Sequence, residues 1–251
     1  MLKERFKDKV AIITGGASGL GEATAKMFAD EGGKPVISDV SEDKGNEVLN
    51  AIKDKGGDAI FVKCDVSNAD DVKAMLYKTI DTYGRLDYAF NNAGIGGPQK
   101  ATADYTEEEW TKVIDINLKG VWLCMKYEIP HMLKQVKSSI VNCSSILGHV
   151  GFQAAPAYVA SKHGLIGLTK TAAIEYSSKG LRVNAICPAF IKTPLLKGLP
   201  GDMLNQLKQM HPIGRLGEPE EVAAYVLWLF SDEASFVTGQ APLADGAYTS
   251  Q

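Results

Sequence analysis

Apolar residues along this chain follow two alternating patterns. Short runs rich in Val and Ile, VAIITG (10–15), KPVISD (34–39), AIFVKCDV (59–66), LDYAFNNAG (86–94), SIVNCSS (139–145) and LRVNAICPAF (181–190), are apolar at successive positions. Strands covered on both faces read this way. Between them, near 19–31, 41–55, 68–83, 106–136, 157–179 and 218–231, apolar positions recur at helical spacing over helix-length segments. The alternation predicts an α/β chain with a parallel sheet and helices on both faces, because parallel neighbours need crossover connections. No linker, repeat or low-complexity segment interrupts it, so residues 1–251 are read as a single domain. One long irregular stretch, 191–217, is rich in Gly, Pro and Leu. It predicts a lid, with a short helix of its own near 202–210.

Charge and composition narrow the partner. The formal net charge is −3 and like charges do not form blocks, so nothing argues electrostatically for nucleic acid or an anionic membrane surface. A small, uncharged or mildly polar molecule fits better. The N-terminal MLKERFKDKV carries charge where a secretory signal needs an apolar run, and no apolar stretch approaches the ~20 residues of a spanning helix. A cytoplasmic address is the expectation. Cys64, Cys124, Cys143 and Cys187 are widely spaced in apolar contexts. They are expected as free buried thiols, with no metal site formed with histidine.

The first strand runs into TGGASGLG, with Gly15, Gly19 and Gly21 at the entrance to a helical segment. Glycines at such a turn let backbone N–H groups approach a pyrophosphate and bring the helix start to face its charge. The spacing G-x-x-x-G-x-G differs from the common dinucleotide fingerprint, and a plain strand-to-helix connection would also tolerate it. The second strand adds context by ending at Asp39, eighteen positions past Gly21, close to the ~20 expected for an acid on the adenosine ribose hydroxyls. A carboxylate there accepts from free hydroxyls and repels a 2′-phosphate, and neither Ala17 nor Val40 supplies a cation. The cofactor expected is NAD.

TGGASGLG, CDV (64–66), NNAG (91–94), Asn117, SS (144–145), YVASK (158–162) and CPAFIKT (187–193) stand in this order along the whole chain. Together they resemble the short-chain dehydrogenase/reductase family. The resemblance implies a Rossmann-type doubly wound sheet of seven parallel strands, a catalytic tetrad of Asn117, Ser145, Tyr158 and Lys162, and a homotetramer. It places Ser18 and Leu20 at the pyrophosphate turn with Gly15, Gly19 and Gly21. Asp65 and Val66 would lie beside the adenine, Asn92 and Gly94 beside the middle of the cofactor, and Ile191 and Thr193 at the nicotinamide carboxamide, with Tyr158 and Lys162 also contacting the cofactor. Ala189 and Ala247 stand where many members have Gly.

The chemistry asks for these residue types. Taking hydride from an alcohol carbon requires the hydroxyl proton to leave, and a phenol, titrating near pH 10, serves as a base only where nearby positive charge favours the phenolate. The i,i+4 spacing puts Tyr158 and Lys162 on one helix face. With nine tyrosines, about one such pair is expected by chance, so its position thirteen residues after Ser145 carries the weight. Ser145 at a strand end would hydrogen-bond the substrate oxygen. Ser144 is the alternative, since side chains alternate along a strand. By resemblance the Asn117 side chain would hold a local helix distortion and a water leading from Lys162 to solvent.

A pocket is expected from Ile95, Gly96, Leu147, His149, Phe152, Phe190, Leu195 and Leu196. It is mostly apolar and suits an alcohol or ketone with a hydrophobic body. His131, His163 and His211 read as structural. Gly164 and Gly167 in the helix that begins at Pro156 suggest close packing of another helix, in keeping with the family's subunit contacts. The function expected is hydride transfer between NAD(H) and a secondary alcohol or ketone. The alternative is a non-catalytic NAD-sensing or scaffold protein on the same fold.

Overall fold

The computed structural model describes residues 4–196 and 201–250. Seven parallel strands, β1 (Val10–Thr14), β2 (Lys34–Asp39), β3 (Ile60–Lys63), β4 (Tyr88–Asn91), β5 (Ser138–Cys143), β6 (Leu181–Pro188) and β7 (Leu243–Ala244), form one sheet in the order β3-β2-β1-β4-β5-β6-β7. Eight helices flank it: α1 (Gly19–Asp30), α2 (Glu42–Lys53), α3 (Ala69–Tyr83), α4 (Glu107–Ile114), α5 (Gly120–Met132), α6 (Pro156–Tyr176), α7 (Gly201–Gln209) and α8 (Pro219–Phe230).

The strands carry continuous apolar runs because both faces are covered. Val10 and Ile12 join a core with residues of α3, α5 and α6, whereas Ala11 and Ile13 join a second core with α1, α2 and α8. All four are 0 % exposed, and burying each of the Val10, Ile12 and Ile13 side chains contributes about 1.5–3 kcal/mol. The helices start where local chemistry supplies partners for their free N–H groups. Asn68 accepts from the Asp70 amide ahead of α3, and Thr106 and Glu109 form a reciprocal capping box on α4, each cap being worth about 1 kcal/mol. At its other end α3 is stopped by Gly84 in the left-handed region.

The chain runs outward from β1 to β3 and then restarts on the other side at β4. The C-terminal ends of β1 and β4 therefore part around a crevice, where open α/β sheets hold ligands. Thr14, Asp39, Asn91, Cys143 and Pro188 all end their strands on this one edge.

Two expectations change. The helical segment 106–136 is broken: between α4 and α5, residues Asp115–Lys119 form one π-helical turn. Gly164 is spoken for within the chain, because a Cβ there would stand 3.0 Å from Leu118 Cδ2, while Gly167 faces open space. The lid stretch 191–217 contains α7 as expected, with its residues 197–200 outside the described residues. The four cysteines are free and buried.

Candidate active site

The turn after β1 is built for close approach. Gly15 and Gly19 have φ of +63° and +55°, which glycine adopts without strain. A Cβ on Gly21 would meet the Gly15 carbonyl oxygen at 2.2 Å, so the turn and α1 could not keep their spacing. Ser18 begins α1 in extended backbone and its hydroxyl makes no capping bond, so the first N–H groups of the helix have no side-chain partner. Leu20, half-buried, packs beneath against the core shared with α8.

Asp39 stands at the end of β2. It accepts from the Ala17 amide at 3.2 Å and the Ser41 amide at 3.0 Å, which fixes the carboxylate beside the glycine turn with lone pairs to spare for hydroxyls. Lys63 lies opposite Asp39 across β2 and β3, yet its ammonium is drawn to Glu42 at 3.7 Å. A glycine-rich turn, a helix start without a side-chain cap and a fixed carboxylate fit a dinucleotide.

The remaining candidates are placed differently from one another. Asn92 turns its Nδ2 onto the carbonyls of Thr14 (2.9 Å) and Gly15 (3.3 Å), so its side chain secures the glycine turn. Asp65 is exposed and binds Ser67, and Val66 is buried beside Gly120, whose added Cβ would meet Val66 Cγ2 at 2.8 Å. Thr193 lies over Gly19, within 3.1 Å of where a Cβ would be. Ile191 is buried and bridges to Gly217. The segment that follows β6 is thus held against the turn.

Ser144 and Ser145 take opposite directions as β5 ends. Ser144 donates to the Lys162 carbonyl at 2.8 Å and is buried, which ties β5 to α6. Ser145 accepts from the Leu147 amide at 3.1 Å and reaches the Pro188 carbonyl only at 3.5 Å, so its hydroxyl keeps a proton to offer. Lys162 is 4 % exposed and donates to the Cys143 carbonyl at 2.6 Å. Its ammonium lies 5.4 Å from the centre of the Tyr158 ring. Among the described residues the Tyr158 hydroxyl has no hydrogen-bond partner. Burial pushes the neighbouring Cys143 thiol up, opposed by the charge of Lys162.

Asn117 sits in the π-helical turn and is fully buried. Its Oδ1 accepts from the Ile95 amide at 2.8 Å, and its Nδ2 donates to the Ile95 carbonyl at 2.8 Å. A second, longer bond of 3.4 Å goes to Ser161. The side chain thus fastens the loop after β4 to the distorted helix. The local helix distortion expected around this residue is present as the π-helical turn. Gly94 leaves room for this clasp, since a Cβ there would stand 3.2 Å from Asn117 Oδ1 and 3.7 Å from Lys162 Nζ.

Two contributions escaped the sequence reading. Gly148 is one: a Cβ would meet Ser144 Oγ at 2.5 Å and the Lys162 carbonyl at 2.8 Å. The other is a polar network beneath the strand ends. Asn91 Nδ2 donates to Glu128 Oε2 at 3.1 Å and to Asn142 Oδ1 at 3.2 Å, and Asn142 Nδ2 donates to Thr169 at 3.0 Å. All four side chains are buried, Glu128 Oε1 has no partner among the described residues, and burial pushes this carboxyl up to about 7. An apolar helix pattern hides such residues, because each partner lies on a different element.

Among the expected pocket residues, Leu195 lies 3.9 Å from the Cβ position of Gly96, and the Phe152 and Phe190 ring centres are 6.0 Å apart. Leu147 is buried, whereas Leu195 is 60 % exposed. Leu196 instead lines a cavity of about 660 Å³ between the lid, α1 and α8. His149, expected in the pocket, is exposed with its Nε2 at 3.1 Å from the Ala241 carbonyl; the helical turn Ile146–Gly148 carries it to the β6–β7 side. No cluster of three or more His, Cys, Asp or Glu suited to a metal occurs among the described residues. No helix among them is long and apolar enough to cross a membrane.

Residues 15–249 match a protein-family model described as enoyl-(acyl carrier protein) reductase. The chain is 44 % identical over 251 residues to a cyclohexanol dehydrogenase of Acinetobacter sp. (strain SE19), covering 100 % of this chain and 99 % of that one. It is 43 % identical to a cis-4-hydroxycyclohexanecarboxylate dehydrogenase of Sinomonas cyclohexanicum, with 98 % of each covered. Among solved structures, levodione reductase superposes with a TM-score of 0.93 at 37 % identity, over 98 % of this chain and 99 % of that one.

Proposed function

Because the chain belongs to the short-chain dehydrogenase/reductase family, we propose that it interconverts a secondary alcohol and its ketone with NAD(H) as the hydride carrier. The observation that carries this reading is the buried Lys162 ammonium 5.4 Å from the centre of the Tyr158 ring, whose hydroxyl has no hydrogen-bond partner among the described residues, with the Ser145 hydroxyl at the neighbouring strand end.

In the oxidative direction the O–H bond of the alcohol breaks as its proton passes to Tyr158, and the carbinol hydrogen leaves with its electron pair. The nicotinamide, when bound, supplies the acceptor for that hydride. Ser145 donates to the substrate oxygen and steadies the charge that develops there. Lys162 holds positive charge beside the phenol, which favours the phenolate that the proton transfer requires. Asn117 keeps the loop after β4 in register with α6 through its bonds to Ile95 and Ser161. Reduction runs the same steps in reverse.

Asp39 supports NAD over NADP, since its carboxylate can accept from ribose hydroxyls, pairs with no cation among the described residues and would repel a phosphate. The apolar surfaces of Phe152, Phe190 and Leu195 support a hydrophobic substrate. The relatives named for cyclohexanol and hydroxycyclohexanecarboxylate point to an alcohol on a six-membered ring. Exposed Trp110 and Trp122 on α4 and α5, with the open Gly167 on α6, support assembly into a homotetramer through these helices, which light scattering would test.

The deciding experiment measures turnover of cyclohexanol and related alcohols with NAD and with NADP, beside Tyr158→Phe. The variant is expected to lose about 10²–10⁴-fold in kcat, the range of a positioned acid or base, while NADH binding persists. Unchanged kcat in Tyr158→Phe, or preference for NADP, contradicts the respective assignment.

A further inference from the structure

Glu128 on α5 is fully buried, and no cation bonds it among the described residues. Its Oε2 accepts from Asn91 Nδ2 at 3.1 Å, and the same Nδ2 donates to Asn142 Oδ1 at 3.2 Å. Two buried oxygens of this network, Glu128 Oε1 and Asn91 Oδ1, are without a partner among the described residues. Buried polar atoms are rarely left so.

The far end of the network fixes which way its amides point. Asn142 Nδ2 lies 3.4 Å from Met125 Sδ and 3.0 Å from Thr169 Oγ1. A thioether only accepts, so the Asn142 amino group faces it and Oδ1 faces Asn91. Asn91 answers with its Nδ2, which leaves its Oδ1 as a spare acceptor. An ionised carboxyl is also acceptor-only. Two spare acceptors on groups already joined by one bond cannot serve each other, whereas a proton on the carboxyl makes Oε1 a donor and satisfies both.

We propose that Glu128 is a positioning residue for the active site: its neutral carboxyl donates from Oε1 to Asn91 Oδ1 beside the existing bond to Oε2, and this double bond braces the ends of β4 and β5. What those ends carry gives the brace its reach. Asn91 ends β4, and the next residue, Asn92, holds the Thr14 and Gly15 carbonyls of the glycine turn. Asn142 precedes Cys143, whose carbonyl receives the Lys162 ammonium at 2.6 Å. Thr169 stands two turns beyond Lys162 on the same face of α6.

Burial raises the carboxyl to about 7, so the brace is whole below that pH and loses its second bond above it. No other group around it titrates there. Cys124 on α5 and Cys64 just past β3 are buried thiols pushed up, the latter to about 12. From α3 come apolar Val72, Met75 and Leu76, while its Asp71 turns to the Asp65 amide. Asp115 and Lys119 of the π-helical turn pair with each other at 3.2 Å. The strands and α6 contribute Asn91, Asn142 and Thr169, which are uncharged. The effect on turnover rests on the dehydrogenase reading; the protonation state does not.

Infrared difference spectra of the full-length protein without cofactor, parent minus Glu128→Gln, test the proton directly. The carbonyl stretch of a neutral carboxyl is expected at pH 6 and should vanish as pH rises through about 7. Glu128→Gln offers a donor and an acceptor to Asn91 and cannot ionise. For turnover, kcat/KM for NAD with cyclohexanol is followed in both proteins, with circular dichroism showing that each stays folded. Titration of Tyr158 is common to both and cancels in the ratio. The ratio of variant to parent should rise about three- to tenfold between pH 6 and 8.5, the size of one lost hydrogen bond. Glu128→Met, which can neither donate nor accept so, should be slower than Glu128→Gln throughout. Absence of the carboxyl band at pH 6, or a crystal structure with a water donating to both oxygens, overturns the neutral carboxyl. A flat ratio overturns the positioning role even where the band is present. If no alcohol is turned over, the dehydrogenase reading fails by itself, and the Kd of NADH replaces kcat/KM: weakening with pH in the parent alone upholds the brace, and equal pH dependence in both overturns it.

Discussion

Glu128 gives a stability prediction with a definite sign. Its carboxyl is fully buried; among the described residues Oε2 accepts only from Asn91 and Oε1 has no partner, and desolvation carries the group from 4.5 to about 7. The folded protein therefore holds this proton where the unfolded chain has released it. Between pH 4.5 and 7 the native state binds more protons than the unfolded state, so stability falls as pH rises through that window and levels off above it. At ~1.4 kcal/mol per pH unit the full loss is about 3 kcal/mol, of which about 2.5 kcal/mol lies between pH 5 and 8. Glu128→Gln keeps an acceptor for Asn91 and cannot ionise. Urea unfolding of both proteins at pH 5, 6, 7 and 8 should show the variant gaining on the parent by about 2.5 kcal/mol across the series. His131, pushed down by burial and by Lys134, acts with the opposite sign, but it is common to both proteins and cancels in the difference. Carboxylates held low by partners, such as Glu221 at about 2, change stability only in more acidic solution. A difference constant to within ~0.5 kcal/mol from pH 5 to 8 would refute the reasoning, since the buried carboxyl would then titrate alike in both states.

Asp39→Asn removes the charge that repels a 2′-phosphate; kcat/KM for NAD should fall about 10- to 100-fold, as loss of a charge-assisted bond predicts, with the NADP value rising in steady-state assays. Gly148→Ala drives a Cβ to 2.5 Å from Ser144 Oγ, and denaturant unfolding should show a loss of about 1–3 kcal/mol, the usual cost of overpacking, together with reduced kcat as the Lys162 backbone shifts. Ala154 sits at φ +61° in the loop before α6, so Ala154→Gly should gain about 1 kcal/mol in the same measurement by relieving left-handed strain. A loss of stability there would show that the methyl group packs usefully.

Much of the scaffold is legible because its signals are local. Strands β1 and β2 match their apolar runs almost to the residue, and the glycine turn with Asp39 is legible because neighbouring strand ends place them together. β7 pairs through only two residues, too few to show a period, and the resemblance alone implied a seventh strand. Helix periodicity across 106–136 hides the π-helical turn, since one added residue per turn barely disturbs the pattern while it moves Asn117 onto Ile95. Ser145 could be preferred over Ser144 only by resemblance, until the Ser144 bond to Lys162 showed which hydroxyl is occupied. Glu128 was out of reach for another reason: what distinguishes it is a buried oxygen without a partner among the described residues, and no single segment records that.

The bond between Lys162 and the Cys143 carbonyl also bears on how a knockout should be read. That ammonium is part of the frame as well as the chemistry: it supplies the donor for a buried carbonyl at the end of β5. Lys162→Met would strand that acceptor, at about 1–3 kcal/mol, and loosen the strand from which Ser145 departs. Its loss of rate would therefore sum two injuries and overstate the electrostatic contribution of the charge. Substituting Tyr158, whose hydroxyl holds nothing else in place, is the cleaner way to weigh the chemical step.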